Sequence, residues 1–104
     1  MLLTKVLQKD INQFFYQVHY YMSLETYRNS IDILDDKIIK LLEKRKTYSK
    51  KIGEIKQKKG LGVFLFEREN AILQRLKLIS QKLEHWEIDQ IYSSIFKVSR
   101  LTQQ

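Results

Sequence analysis

Residues 24–58 read LETYRNSIDILDDKIIKLLEKRKTYSKKIGEIKQK, and this stretch decides the fold. Its apolar positions Leu24, Tyr27, Ile31, Leu34, Ile38, Leu41, Leu42, Tyr48, Ile52 and Ile55 recur at spacings of three and four, the period of one face of an α-helix. A single helix of that length would span ~50 Å, more than a compact domain of this size can cover, so it needs a partner helix of similar length. Three cations, Arg28, Arg45 and Lys56, interrupt the stripe. At about 100° and 1.5 Å per residue, Arg45 and Lys56 fall within roughly 20° of each other and ~16 Å apart, close enough for two long side chains to close on a small anion. Arg28 lies ~25 Å further up and about 100° round, so it can join that anion only from a second copy of the chain.

Outward from this helix, Lys59-Gly60-Leu61-Gly62 reads as its stop, since glycine tolerates the left-handed conformation beyond a helix end. A short loop, residues 63–66, leads to a second helix over about 67–82. Ala71, Ile72, Leu73, Leu76 and Ile79 are expected inward, with Glu67 and Glu69 at the N-terminal end favoured by the helix dipole. Residues 83–87 read as a connector, and a last helix runs from about Ile88 to the end, carrying Ile91, Tyr92, Ile95, Phe96 and Val98. Before the main stretch, Leu3, Val6, Leu7, Ile11, Phe14, Phe15 and Val18 predict an additional N-terminal amphipathic helix. The expected division is therefore an extension, 1–23, and an all-α domain, 24–104. Three readings of the extension are open: it covers a face of the core, touches a membrane surface, or follows from a start upstream of Met22. Packing is preferred.

The 104 residues hold no proline, three glycines and no cysteine, which fits one helical domain and excludes disulfides, thiolate metal sites and a cysteine nucleophile. His19 and His85 stand alone, without metal-ligand spacing. No apolar run is long enough to span a membrane, and Gln8, Lys9, Asp10, Asn12 and Gln13 break any secretory signal, so a cytoplasmic protein is expected. A domain this small buries only about two thirds of its unfolded surface, and dimerisation would add stability. The net charge of +7 favours anions without choosing among nucleic acid, acidic lipid and a small dicarboxylate.

Five segments narrow the choice: Tyr27-Arg28-Asn29-Ser30-Ile31-Asp32-Ile33-Leu34-Asp35, Leu41-Leu42-Glu43-Lys44-Arg45, Ile52-Gly53-Glu54-Ile55-Lys56, Glu67-Arg68-Glu69 and Ser99-Arg100-Leu101-Thr102-Gln103-Gln104. In this order, over about three quarters of the sequence, they resemble the all-helical (type II) chorismate mutase family. The resemblance implies an intertwined helical homodimer with shared active sites, no metal and no cofactor, and chorismate as substrate rather than nucleic acid or a membrane. It implies that Arg45 grips one substrate carboxylate while Arg28 reaches across from the other protomer to the second. Lys56 and Gln103 would donate to the ether oxygen, Ser99 would line the ring-carboxylate end, Arg68 would add positive charge, and Glu69 would accept from the ring hydroxyl. The residues themselves agree in part. Ser99 and Gln103, four apart, form a polar notch on one helix face, and arginine's planar fork suits a carboxylate.

The loop departs from the family pattern: Gly62 precedes Val63 where proline is common, and Leu65 stands where an acidic residue is common. That loss bears on substrate choice and keeps isochorismate-pyruvate lyase, of the same fold, as the nearest alternative. A basic helical module binding nucleic acid through Lys44 to Lys59 is a second alternative, and a catalytically silent regulatory partner a third. Each cation also has a bland reading, as a snorkelling side chain or as half of an ion pair with Asp35 or Glu69. The Lys44 to Lys59 run lies mostly off the stripe and reads as a solvated face.

Overall fold

The computed structural model describes residues 2–104, the side chains of Leu3 and Val6 excepted, and the described chain is all helix. Three helices follow one another: α1 (Leu2–Lys58), α2 (Phe66–Ile79) and α3 (His85–Gln103). The all-α class expected from the periodicity is what is observed. Among the described residues no helix is long and apolar enough to cross a membrane.

The extension is not a separate helix. It is the first part of α1, which runs through Ser23 and Leu24 without a break. No glycine or proline stands there. Past that point the hydroxyls bond back within the helix, Thr26 Oγ1 to the Met22 carbonyl at 2.8 Å and Ser30 Oγ to the Thr26 carbonyl at 3.1 Å. The expected helix over 24–58 thus has the right end and an earlier beginning.

The chain divides into two compact units, residues 1–41 and 42–104. The described part of the first is a single helix whose apolar side chains have nothing to pack on. Tyr27, Ile31, Leu34, Ile38 and Leu41 are all more than half exposed. A stripe of this kind is stable only when something covers it.

The second unit holds the end of α1 together with α2 and α3. Gly60 terminates α1 with φ 68°, and the Leu61 N–H to Lys56 O (2.8 Å) and Gly60 N–H to Gln57 O (3.2 Å) bonds close the last turn, as the Gly-Leu-Gly signal predicted. Glu67 and Glu69 occupy the first turn of α2 as expected. The helix stops at Ile79 rather than 82, where the Ser80 hydroxyl accepts from the Leu83 N–H at 3.1 Å and turns the chain. α3 begins at His85, inside the stretch expected as connector, because the Glu84 N–H donates to Glu87 Oε1 at 2.9 Å and caps the start. Ile72, Ile88 and Phe96 are the buried hydrophobic side chains among the described residues. The Tyr92 and Phe96 rings meet edge to face at 5.6 Å. Ala71 and Ile79, expected inward, are exposed, and Lys77 instead pairs with Asp89 at 2.7 Å, tying α2 to α3.

Candidate active site

The last turns of α1, the loop after it, the start of α2 and the end of α3 enclose a cavity of about 400 Å³ within the second unit. Six of the seven side chains singled out from the sequence line it: Arg45 and Lys56 from α1, Arg68 and Glu69 from α2, Ser99 and Gln103 from α3. The seventh, Arg28, lies in the first unit, where it is bonded to Glu25 at 3.1 Å with both side chains mostly exposed. It is not among the side chains that line the cavity. Ile52, Val63, Leu65, Ile72 and Phe96 supply apolar wall between the charges.

The polar side chains form one connected path. Ser49 Oγ and Ser99 Oγ are 2.8 Å apart, Gln103 Nε2 donates to Ser99 Oγ at 3.2 Å, and Lys56 Nζ donates to Gln103 Oε1 at 2.7 Å and to the Val63 carbonyl at 3.0 Å. An ammonium has three donors and no acceptor, so it must face the Gln103 carbonyl oxygen, and that orients the amide. Two Lys56 donors and one Gln103 N–H are committed to the protein. One N–H on each therefore remains for a ligand. Two neighbouring donors held in place by a hydrogen-bonded path are suited to an oxygen that gains negative charge during a reaction.

At the other wall, Arg100 Nη1 donates to both oxygens of Glu69, at 2.7 and 2.6 Å, while its guanidinium lies 5.3 Å from the Phe64 ring centre. Glu69 thus has an ion-pair partner, although a carboxylate with about four acceptor positions keeps room for a hydroxyl donor. Arg45 and Arg68 make no ion pair among the described residues. Four cations and one carboxylate line the cavity, which fits an anionic ligand.

Three contributors were given no role in the site from the sequence. Ser49 is 5% exposed and anchors the hydrogen-bonded path; its one signal was a small polar residue four after Arg45. Arg100 carried charge beside Ser99 but had no legible partner. Gly53 allows the closest approach: a Cβ there would stand 2.7 Å from Gln103 Cα and 2.8 Å from Gln103 O. Only a residue without a side chain lets α3 press onto α1 at that point.

A family model described as chorismate mutase type II matches residues 27–104. The chain is 39% identical over 83 residues to a bifunctional chorismate mutase/prephenate dehydratase of Buchnera aphidicola subsp. Baizongia pistaciae, a match covering 78% of this chain and 22% of that protein. It is 33% identical over 75 residues to a chorismate mutase of Methanocaldococcus jannaschii, covering 72% of this chain and 74% of that one. Among solved structures, a conserved hypothetical protein from Pyrococcus furiosus superposes with a TM-score of 0.67 at 32% identity, over 79% of this chain and 96% of the other. The chain spans 17 to 22% of the length of the bifunctional relatives.

Proposed function

The chain belongs to the type II chorismate mutase family, and from that premise and the geometry of the cavity we propose that it rearranges chorismate to prephenate, toward phenylalanine and tyrosine, as a homodimer with shared active sites. The observation that carries this reading is the Lys56–Gln103 pair, two oriented donors with an N–H left on each, in a cavity that also holds Arg45 and Arg68. The reaction is a unimolecular pericyclic rearrangement and needs no nucleophile or cofactor. Its demands are to hold a flexible dianion folded over its own ring and to stabilise charge growing on the ether oxygen as the C–O bond breaks.

In this reading Arg45 binds one carboxylate, Arg28 of the partner subunit binds the other, and Lys56 and Gln103 donate to the ether oxygen. Ser99, held by Ser49, lines the ring-carboxylate end, and Glu69, held by Arg100, accepts from the ring hydroxyl. The uncovered Leu24 to Leu41 stripe supports the homodimer, because a second copy supplies the long partner helix it lacks. The motif residues all lie within 24–104, with residues 1–23 an appendage to that domain.

Leu65 lines the cavity where a carboxylate is common in the family, and this favours keeping isochorismate-pyruvate lyase as the second reading. Incubating the purified chain with chorismate and, in parallel, with isochorismate tests both. Prephenate from chorismate supports the mutase, pyruvate release from isochorismate alone supports the lyase, and turnover of neither would sink both.

A further inference from the structure

Two apolar stripes run along the first unit and face opposite ways. At ~100° per residue, Leu24, Tyr27, Ile31, Leu34, Ile38 and Leu41 cluster about one direction, and Leu7, Ile11, Phe14, Phe15, Val18 and Met22 cluster roughly 180° round from it. The helix is unbroken between the two sets, so no hinge can turn one toward the other. Whatever covers the Leu24 to Leu41 face leaves the Leu7 to Met22 face bare. The second stripe also precedes residues 27–104, so the family fold gives no account of it.

From Leu7 to Met22, with Leu3 of the same apolar run lying outside, this second stripe is palindromic. Its spacings are four, three, one, three and four, symmetric about the Phe14–Phe15 bond. We propose that residues 7–22 are a self-association element, in which two copies of the chain pair antiparallel about a twofold axis between Phe14 and Phe15. Leu7 then packs on the partner's Met22, Ile11 on the partner's Val18 and Phe14 on the partner's Phe15. Leu7 and Met22 lie on either side of the stripe's midline, about 60° apart, and Phe14 and Phe15 do so about 100° apart, an alternation that lets antiparallel helices interlock knobs into holes.

Area and charge favour a second copy as occupant. The six side chains are 38 to 66% exposed. With whole aromatic side chains covering ~150–250 Å², they leave on the order of 600 Å² per chain, and ~1,200 Å² in a pair reaches the lower end of stable interfaces. A lipid surface fits less well, because Lys5, Lys9 and Asp10 leave this segment with little net charge to attract anionic headgroups. Resting on the homodimer proposed above, the pairing has a further consequence. Each dimer carries two such elements facing away from its seam, so dimers join into tetramers where two pairs close, or into longer chains where they do not.

The test uses charge placed in one layer of the full-length chain. Ile11→Glu and Val18→Lys each set two charges against apolar partners, and each variant alone should show at most half the mass of the native chain by light scattering, with helix content retained by circular dichroism. Phe15→Ser, which adds no charge, should dissociate in the same way. Mixing Ile11→Glu with Val18→Lys in equal amounts should restore the larger mass, because one layer becomes an ion pair and its symmetry mate returns to Ile11 against Val18. Parallel pairing gives no such rescue. Equal masses for the native chain and all variants over a wide concentration range would overturn the proposal, as would a mixture that fails to recover. Binding of the native chain to vesicles containing phosphatidylglycerol, lost in Ile11→Glu with no change of mass, would assign the face to lipid and overturn it too. Chorismate turnover, followed in the same samples, reports separately on the mutase reading, since none of these residues lines the cavity.

Discussion

Gly53→Ala separates the packing of the site from ordinary helix chemistry, because the two predict opposite signs. Inside a helix, alanine is favoured over glycine by ~1 kcal/mol, so on propensity the variant should gain stability. The structure forbids a free gain: the new Cβ would lie 2.7 Å from Gln103 Cα and 2.8 Å from Gln103 O, both backbone atoms that no rotamer change can move. Non-bonded carbons sit comfortably at ~3.5–4.0 Å, so the end of α3 must retreat by about 1 Å. The Lys56 Nζ to Gln103 Oε1 bond, now 2.7 Å, would stretch to roughly 3.7 Å if the side chains moved with their backbones, beyond hydrogen-bonding range. Overpacking costs about 1–3 kcal/mol, partly offset by propensity, and the terminal turn of α3 can fray to relieve it, so global stability should fall by no more than ~2 kcal/mol. A catalytic group misplaced by ~1 Å costs on the order of 10²-fold. The expected result is therefore a folded protein with kcat/KM for chorismate reduced about 100-fold and a urea midpoint shifted only slightly. A variant with native turnover and raised stability would refute the close approach and the role given to Gln103.

Lys56→Ala should lower kcat by ~10²-fold or more while the protein stays folded, the scale for losing one transition-state donor, and near-normal turnover would remove Lys56 from the mechanism. Deleting residues 1–21 should leave chorismate turnover intact, because every proposed site residue lies beyond the cut; a truncated protein that folds by circular dichroism but does not turn over would make the extension part of the catalytic domain. Arg28→Ala and Arg45→Ala should each be nearly inactive alone. Unfolded together and refolded in equal amounts, they should recover roughly a quarter of native activity, since half the dimers would be mixed and each would hold one intact site; no recovery despite proven subunit exchange would count against a site shared between protomers.

What the sequence made legible was local or periodic. The helical stripe, the Gly60 stop, the two glutamates opening α2 and the common face of Arg45 and Lys56 all follow from spacing along one chain segment, and the structure places them accordingly. What stayed hidden depends on how one helix registers against another. Gly53 reads as a helix liability until α3 is seen against it. Arg100 and Glu69 are each ordinary surface-type charges until the fold brings them, 31 positions apart, to within hydrogen-bonding distance. Ala71 and Ile79 show the limit of a wide apolar stripe on a short helix: the period gives its centre, Ile72, but not its edges, and one edge is held by the Lys77–Asp89 pair instead. The start of α3 was missed for a different reason. A glutamate at the cap position is an uncommon capping residue, so the Glu84–Glu87 pair did not stand out as a start signal.

Arg45, Arg68 and Lys56 are not halves of ion pairs among the described residues. If they were halves of structural ion pairs, Glu69 is the carboxylate within the cavity that should have neutralised one of them, and it is bonded to Arg100, which leaves Arg45, Arg68 and Lys56 without it. Lys56 bonds only to neutral oxygens, and the two arginines have no carboxylate partner among the described residues. Holding three uncompensated positive charges around one small cavity works against the folded state, through mutual repulsion and through partial desolvation of Lys56. Their convergence on the same space is a local cost that the dianion of the proposed reaction would remove, and local rules broken together point to function.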